Sequence, residues 1–225
     1  MRLLVSALLL SPILFAADKE PAANRLEDAS MVFSEIMSTP DKGIPRDLLQ
    51  KAQCIAIVPG LKNGAFIVGG KYGKGFLSCK ENGGWSAPAA IRIEGGSVGF
   101  QIGGSETDVV MLVMNQGGEN KLLSSKFTLG GEGEVAAGPV GRTSSAQTDA
   151  KLNAEILSWS RSRGAFAGVS LSGATLRQDL DDDQALYGKR LTNSEIVKGN
   201  VPPPPAARDL LSQLNRYSNP ERAQR

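Results

Sequence analysis

The chain contains no histidine. That removes Ser-His-Asp and Cys-His nucleophilic catalysis, imidazole acid–base chemistry and histidine metal ligation together. It has only two cysteines, Cys54 and Cys79, too few for a zinc site or a disulfide scaffold. Charge of one sign is also scarce, with 25 Lys and Arg against 23 Asp and Glu, a surplus of two. A nucleic-acid binder needs a clear basic excess to displace counterions from phosphates, so DNA and RNA are excluded as partners. Beyond the N-terminus no apolar run approaches the ~20 residues of a membrane-spanning helix.

What is present is ample material for one core: 225 residues, 41% apolar, with 26 glycines. At about 150 residues per domain this is one domain with appendages. Residues Met1 to Phe15 carry one Arg and then an apolar run, followed by Ala16-Ala17 and the charged Asp18-Lys19-Glu20. That is the layout of a secretory signal peptide over 1–17, so the expected destination is the periplasm or the extracellular space, peripheral to a membrane at most. In such an oxidising compartment Cys54 and Cys79 either form one bridge or stay small buried hydrophobes.

From Arg25 to Met37 the apolar residues Leu26, Ala29, Val32, Phe33 and Ile36 fall on one arc, with Glu27, Asp28 and Glu35 opposite, which predicts an amphipathic helix. Pro45 suits the first turn of a short second helix through Lys51. Past Cys54 the texture becomes short apolar runs separated by glycines: Ile55 to Val58, Ala65 to Val68, Phe76-Leu77, Ala89-Ile91-Ile93 and Val98-Phe100-Ile102. These read as strands joined by hairpins. Val109 to Met114 is unbroken and suits a strand buried on both faces. Ile156 to Ser160 and the alternating Ala165, Ala167, Val169 and Leu171 flank a turn at Arg161 to Gly164. Glycine inside strands marks bulges, bends or close backbone approach. The expected fold is therefore α+β, with a strongly curved, glycine-rich, mainly antiparallel, barrel-like sheet and N-terminal and peripheral helices. Asn120 to Lys126, Asp181 to Tyr187 and the capping box Thr192-x-x-Glu195 predict short helices. Pro202 to Pro205 predict a stiff linker and Ala206 to Tyr217 a terminal helix.

Two motifs fail on their own chemistry. Gly69 to Gly75 has the wrong glycine spacing for a phosphate loop and no Ser or Thr for magnesium, so it reads as a turn. Asp179 to Asp183 starts like a calcium loop, but Gln184 and Arg190 occupy the glycine and glutamate positions, leaving a solvated acidic helix start. Neither a metal nor a cofactor is expected. Three basic-aromatic clusters remain: Lys71, Tyr72, Lys74 and Phe76; Arg161, Arg163 and Phe166; Tyr187, Lys189 and Arg190. Cations beside rings suit an anionic membrane surface, while the plainer reading is hairpin turns with charged tips.

The ordered set Ala65 to Gly75, Gly84-Trp85-Ser86-Ala87-Pro88, Gly99 to Gly103 with Thr107 to Val110, Ala137 to Arg142, and Ser158 to Val169 resembles the SYLF domain family in its bacterial exported form. The resemblance runs from about Arg25 to Gly199, hence an expected domain over 18–199 and a Pro-rich linker and helix over 200–225. It implies a lipid-binding module without catalysis, whose eukaryotic relatives recognise phosphoinositides and whose fungal members also bind actin. Relatives use a basic helix near the domain start, whereas this one carries Glu27, Asp28 and Glu35 against Arg25. Some relatives continue into an SH3 domain, where this chain has Pro202 to Pro205 and a helix. The expected function is binding of phospholipid or another envelope lipid through turn-borne Lys71, Lys74, Arg161 and Arg163, with Tyr72 and Phe166 as interfacial rings. The alternative is a structural module that docks a protein partner.

Overall fold

The computed structural model describes residues 21–39, 43–81, 83–132, 135–138, 154–162, 165–166 and 171–219. The expected signal segment, Arg163 and the 139–142 part of the family pattern lie outside them.

Helix α1 (Ala22–Ser38) and α2 (Arg46–Lys51) form where the apolar arc and Pro45 predict them. The chain then enters β1 (Cys54–Glu81), β2 (Gly84–Trp85) and β3 (Ala89–Val113). β1 and β3 pair antiparallel from Cys54↔Val113 to Leu77↔Ala89, with irregularities at Val58/Leu61 and Ala65/Ile67. The expected row of short strands joined by glycine turns is thus one ribbon of two long strands. Gly69 to Gly75 is not a turn but the middle of β1, where Lys71 pairs with Gly95 and Lys74 with Arg92.

That ribbon folds back on itself, and glycine is what permits it. A methyl group on Gly75 would stand 2.0 Å from the Ile57 carbonyl oxygen and 2.8 Å from Val58 Cα; one on Gly73 would stand 2.8 Å from Leu61 Cδ1. The second half of β1 therefore crosses the first at backbone contact, closer than any side chain allows. A disulfide joins Cys54 to Cys79 across the same fold-back, 25 residues apart. Closing a loop of that length removes about 3.5 kcal/mol of unfolded-state entropy.

Alternation then sorts the side chains into two cores. Cys54, Ala56, Val58, Leu77, Ile91, Ile93, Val109 and Met111 point into the space enclosed by the folded ribbon. Ile55, Ile57, Phe76, Ala90, Val110 and Leu112 point outward under the helices, so Val109 to Val113 is buried on both faces as its unbroken apolar run predicts. The rest of the sheet adds β4 (Lys126–Thr128), β5 (Val135–Ala137), β6 (Ile156–Ser162), β7 (Ala165–Phe166) and β8 (Thr175–Gln178). β6 continues the sheet beside Asp108 to Val113, β8 beside Ile91 to Glu94, and β4 beside β8. Only β5–β6 is parallel among the described pairs. The result is a curled half-barrel, the expected class.

Helix α3 spans Gln116–Leu122 rather than Asn120 to Lys126: Asn115 caps it by accepting from the Gly118 N–H at 2.8 Å, which pulls its start four residues forward and releases Lys126 into β4. Helix α4 (Leu180–Tyr187) and α5 (Asn193–Lys198) follow, the latter with the expected capping box between Thr192 and Glu195. After Pro204 a short 3-10 turn leads into α6 (Arg208–Ser218). Ala207, Leu210 and Leu214 are buried in the outer core with α1, so this terminal helix is packed onto the domain.

Gly75→Ala should destabilise the fold by about 3 kcal/mol or more, because backbone atoms cannot yield as a flexible side chain would. Gly64→Ala, a strand glycine with no atom within 4 Å of the added methyl, should change stability by less than about 1 kcal/mol. Urea unfolding of both variants measures the contrast.

Candidate docking surface

Of the six residues expected to meet lipid, the structure describes the surroundings of four. Lys71, Tyr72 and Lys74 lie mid-strand in β1, not on a turn, because the ribbon runs straight through the glycines that suggested one. Arg161 lies near the end of β6, opposite Phe166 of β7, in a hairpin whose connecting residues include Arg163 and are outside the described set. The Phe166 side chain is likewise outside it.

Two of these cations are held by carboxylates. Lys74 Nζ lies 2.8 Å from Asp179 Oδ2 and 3.1 Å from Asp182 Oδ1, the latter in hydrogen-bond geometry. Arg25 of α1 reaches the other oxygen of Asp182 at 2.5 Å. Desolvation pulls the Lys74 pKa down, but the bonds and charges of Asp179 and Asp182 outweigh it and the pKa is raised. Arg161 pairs with Asp108 at 3.0 Å and with Glu35 of α1; its pKa too is raised against desolvation by these partners. Arg25 and Glu35 stand ten residues apart on α1, about 15 Å. The two clusters therefore pin opposite ends of one helix, and each spends its cation inside the molecule: the side chains of Lys74 and Arg161 are 19% and 13% exposed.

The acidic start of α4 is also not solvated as expected. Asp179 caps the helix through the Asp182 N–H and is 2% exposed, Asp183 is fully buried, and only Asp181 faces water. Asp183 Oδ1 accepts from the Ala90 N–H at 2.7 Å. With its carboxamide turned so that nitrogen faces them, Asn193 donates to Asp183 Oδ2 and to the Ala90 carbonyl at 3.3 Å each. Tyr187 donates to the Pro88 carbonyl at 2.6 Å, so its ring is tied to the sheet instead of a membrane boundary.

The accessible chemistry sits one strand over. Cross-strand register aligns Lys74 with Arg92, Arg92 with Arg177, and Arg177 with Lys126. The next outward row is Tyr72, Glu94, Thr175 and Thr128. Between them Ile93, Leu176 and Phe127 point the other way into the inner core. Side chains on this face are open: Arg92 is 32% and Arg177 40% exposed. Glu94 holds both, with Oε1 2.6 Å from Arg92 Nε and Oε2 3.3 Å from Arg177 Nε. Lys126 is exposed and has no carboxylate within 4 Å among the described residues. Sequence reading missed these three cations. Arg92 was within reach, since the alternation Ala89-Ile91-Ile93 puts it on the outer face; Lys126 was hidden by the helix assignment, and Thr175 to Gln178 is too short a strand to announce itself.

A curled α+β scaffold with helices over part of its outer sheet face and a charged remainder has the make-up of a binding module. A family model described as Ysc84, Las17-binding protein actin regulator, matches residues 94–217. The human SH3 domain-containing YSC84-like protein 1 is 35% identical over 190 residues, 83% of this chain and 55% of that protein. Two Saccharomyces cerevisiae proteins are similar: LAS seventeen-binding protein 3 at 35% over 178 residues, and Protein YSC84 at 36% over 180, each covering 77% of this chain. They are covered to 39% and 38% of their own length. The chain belongs to the Ysc84 family, the SYLF domain family its motifs resemble. It spans about half the length, or less, of these curated relatives.

Asp183 generates a pH prediction. Burial pushes its pKa up, the Ala90 N–H opposes this, the charges of Asp179 and Asp182 add to it, and the result is about 7. The folded state then holds a proton that the unfolded state, with its pKa near 3.8, releases. This contribution to stability is complete below pH ~4 and is lost as pH rises through ~7. Asp183→Asn keeps an acceptor for Ala90 and cannot ionise. Relative to the variant, the parent should lose stability between pH 4 and 8, by about 4 kcal/mol at most because donation from Asn193 favours the ionised carboxylate, read from urea midpoints at each pH.

Proposed function

We propose that this domain is a non-enzymatic interaction module that docks a protein partner. The observation that carries the reading is the similarity over 77% of the chain to a protein named LAS seventeen-binding protein 3, with residues 94–217 matching the model described as Las17-binding protein actin regulator. The accessible charged face supports it, because an open sheet surface of mixed guanidinium, carboxylate and hydroxyl groups suits a protein surface.

Anionic phospholipid is the second reading, supported by Tyr72, which is 39% exposed beside Lys71. Against a four-cation rim stands the engagement of Lys74 and Arg161 by carboxylates, which a headgroup would have to displace. Export to an oxidising compartment is part of the proposal, with the buried Cys54–Cys79 bond as its support.

Native mass spectrometry of the full chain purified from its source cells tests these points together. The expected result is a stoichiometric protein partner on a chain lacking the segment before Ala17 or Asp18, with no free thiol after denaturation. A chain carrying phospholipid and no protein would overturn the docking reading in favour of the lipid one; a retained Met1 with two free thiols would overturn export.

A further inference from the structure

We propose that the row Arg92–Arg177–Lys126, with Tyr72 at its margin, is the surface that receives an acidic segment of a protein partner. The proposal rests on the docking-module reading for the partner being a protein, and on geometry for the rest.

Three adjacent strands place one cation each at the same level of the outer face, so the row is about 10 Å long at the ~4.8 Å strand spacing. Its charge is not cancelled from within. Lys74, the fourth member, belongs to Asp179 and Asp182, but among the described residues Arg92, Arg177 and Lys126 have only the Glu94 carboxylate within 4 Å, a surplus of two that Glu132, accepting from the Thr128 N–H at 2.7 Å beside the row, reduces towards one. Glu94 accepts a hydrogen bond from Arg92 Nε, while Arg177 Nε, 3.3 Å from its other oxygen, makes no hydrogen bond; the terminal nitrogens of both arginines have none among the described residues. Glu94 thus fixes the Arg92 guanidinium and draws Arg177 by charge alone, leaving the donors of both groups for a ligand.

Planar guanidinium forks match carboxylates in bidentate pairs, and two or three closely spaced carboxylates cover a row of this length. Thr128 and Thr175 add hydroxyls beside it, and Tyr72 adds an exposed ring. A membrane fits less well. A surplus of one to two charges enriches a protein at an anionic bilayer by about thirtyfold at most, and Met31 and Tyr72 are the only large apolar side chains exposed among the described residues.

The test uses the full chain and a fluorescein-labelled oligoglutamate peptide, read by fluorescence anisotropy at low salt. Arg92→Gln/Arg177→Gln/Lys126→Gln should bind about tenfold more weakly than the parent. The control Lys51→Gln/Lys189→Gln/Arg208→Gln removes the same charge from exposed sites elsewhere and should bind like the parent. Equal losses in both triples would mean unspecific charge attraction and overturn the proposal, as would unchanged binding by the row variant. Binding to phosphatidylglycerol vesicles that depends on the row, with no peptide binding by the parent, would assign the face to a membrane and also overturn it. Circular dichroism checks folding; should the triple not fold, Lys126→Glu alone, at a side chain that touches no carboxylate among the described residues, must still weaken peptide binding for the proposal to stand. Native mass spectrometry separates the two claims. A partner retained by the row variant as by the parent sinks the row and leaves the docking reading; a parent without any protein partner sinks the reading itself.

Discussion

The contact on which the rest of this structure depends is the one between Gly75 and the backbone at Ile57 and Val58. A β-ribbon of this length is too long to bury either face by itself, and packing its two halves on one another solves that only if they approach at backbone distance. Glycine at 73 and 75 supplies the approach at the usual cost of glycine in a strand. Once the halves meet, alternate residues of the same strands are committed to an inner and an outer core. The Cys54–Cys79 bond fastens the open end, where the first and last residues of β1 come together.

The outer core fixes where the helices go, and the ion pairs fix how they lie. Helix α1 covers the outer apolar residues and is held near one end by Arg25–Asp182–Lys74 and near the other by Glu35–Arg161–Asp108. Lone surface pairs contribute little, but these are part-buried and shared among four side chains in the first cluster, with Asp179, and three in the second, so they set the register of the helix on the sheet. Cations that look like binding groups in the sequence are thereby assigned to architecture. The face left to water is the one beyond the helices, where β3, β8 and β4 carry Arg92, Arg177, Lys126 and Glu94.

Much of this was legible in the order of residues. Both N-terminal helices, the doubly buried strand at Val109 to Val113, the capping box at Thr192 and the curled sheet follow from periodicity, proline placement and glycine density. The ribbon was not legible. Glycines that break apolar runs have the same signature in a hairpin turn as in a strand pressed against another backbone, and only the tertiary contact at Ile57 separates the two. The partners of Lys74 and Arg161 were hidden for a related reason, since Asp179 lies 105 positions from Lys74 and Asp108 lies 53 from Arg161. The family was legible because it rests on many short motifs in order, none of which requires the three-dimensional pairing to be known.

The fold-back of β1 positions both cores and every helix, and a nuclear Overhauser measurement on isotope-labelled protein reads it directly. Strong cross-peaks between the α protons of Gly75 and the backbone protons of Val58, alongside the Lys74–Arg92 and Ile57–Val110 strand pairings, are what the structure predicts. If those pairings are seen but Gly75 shows contacts only within its own half of the ribbon, the two halves do not pack on each other and the account is contradicted.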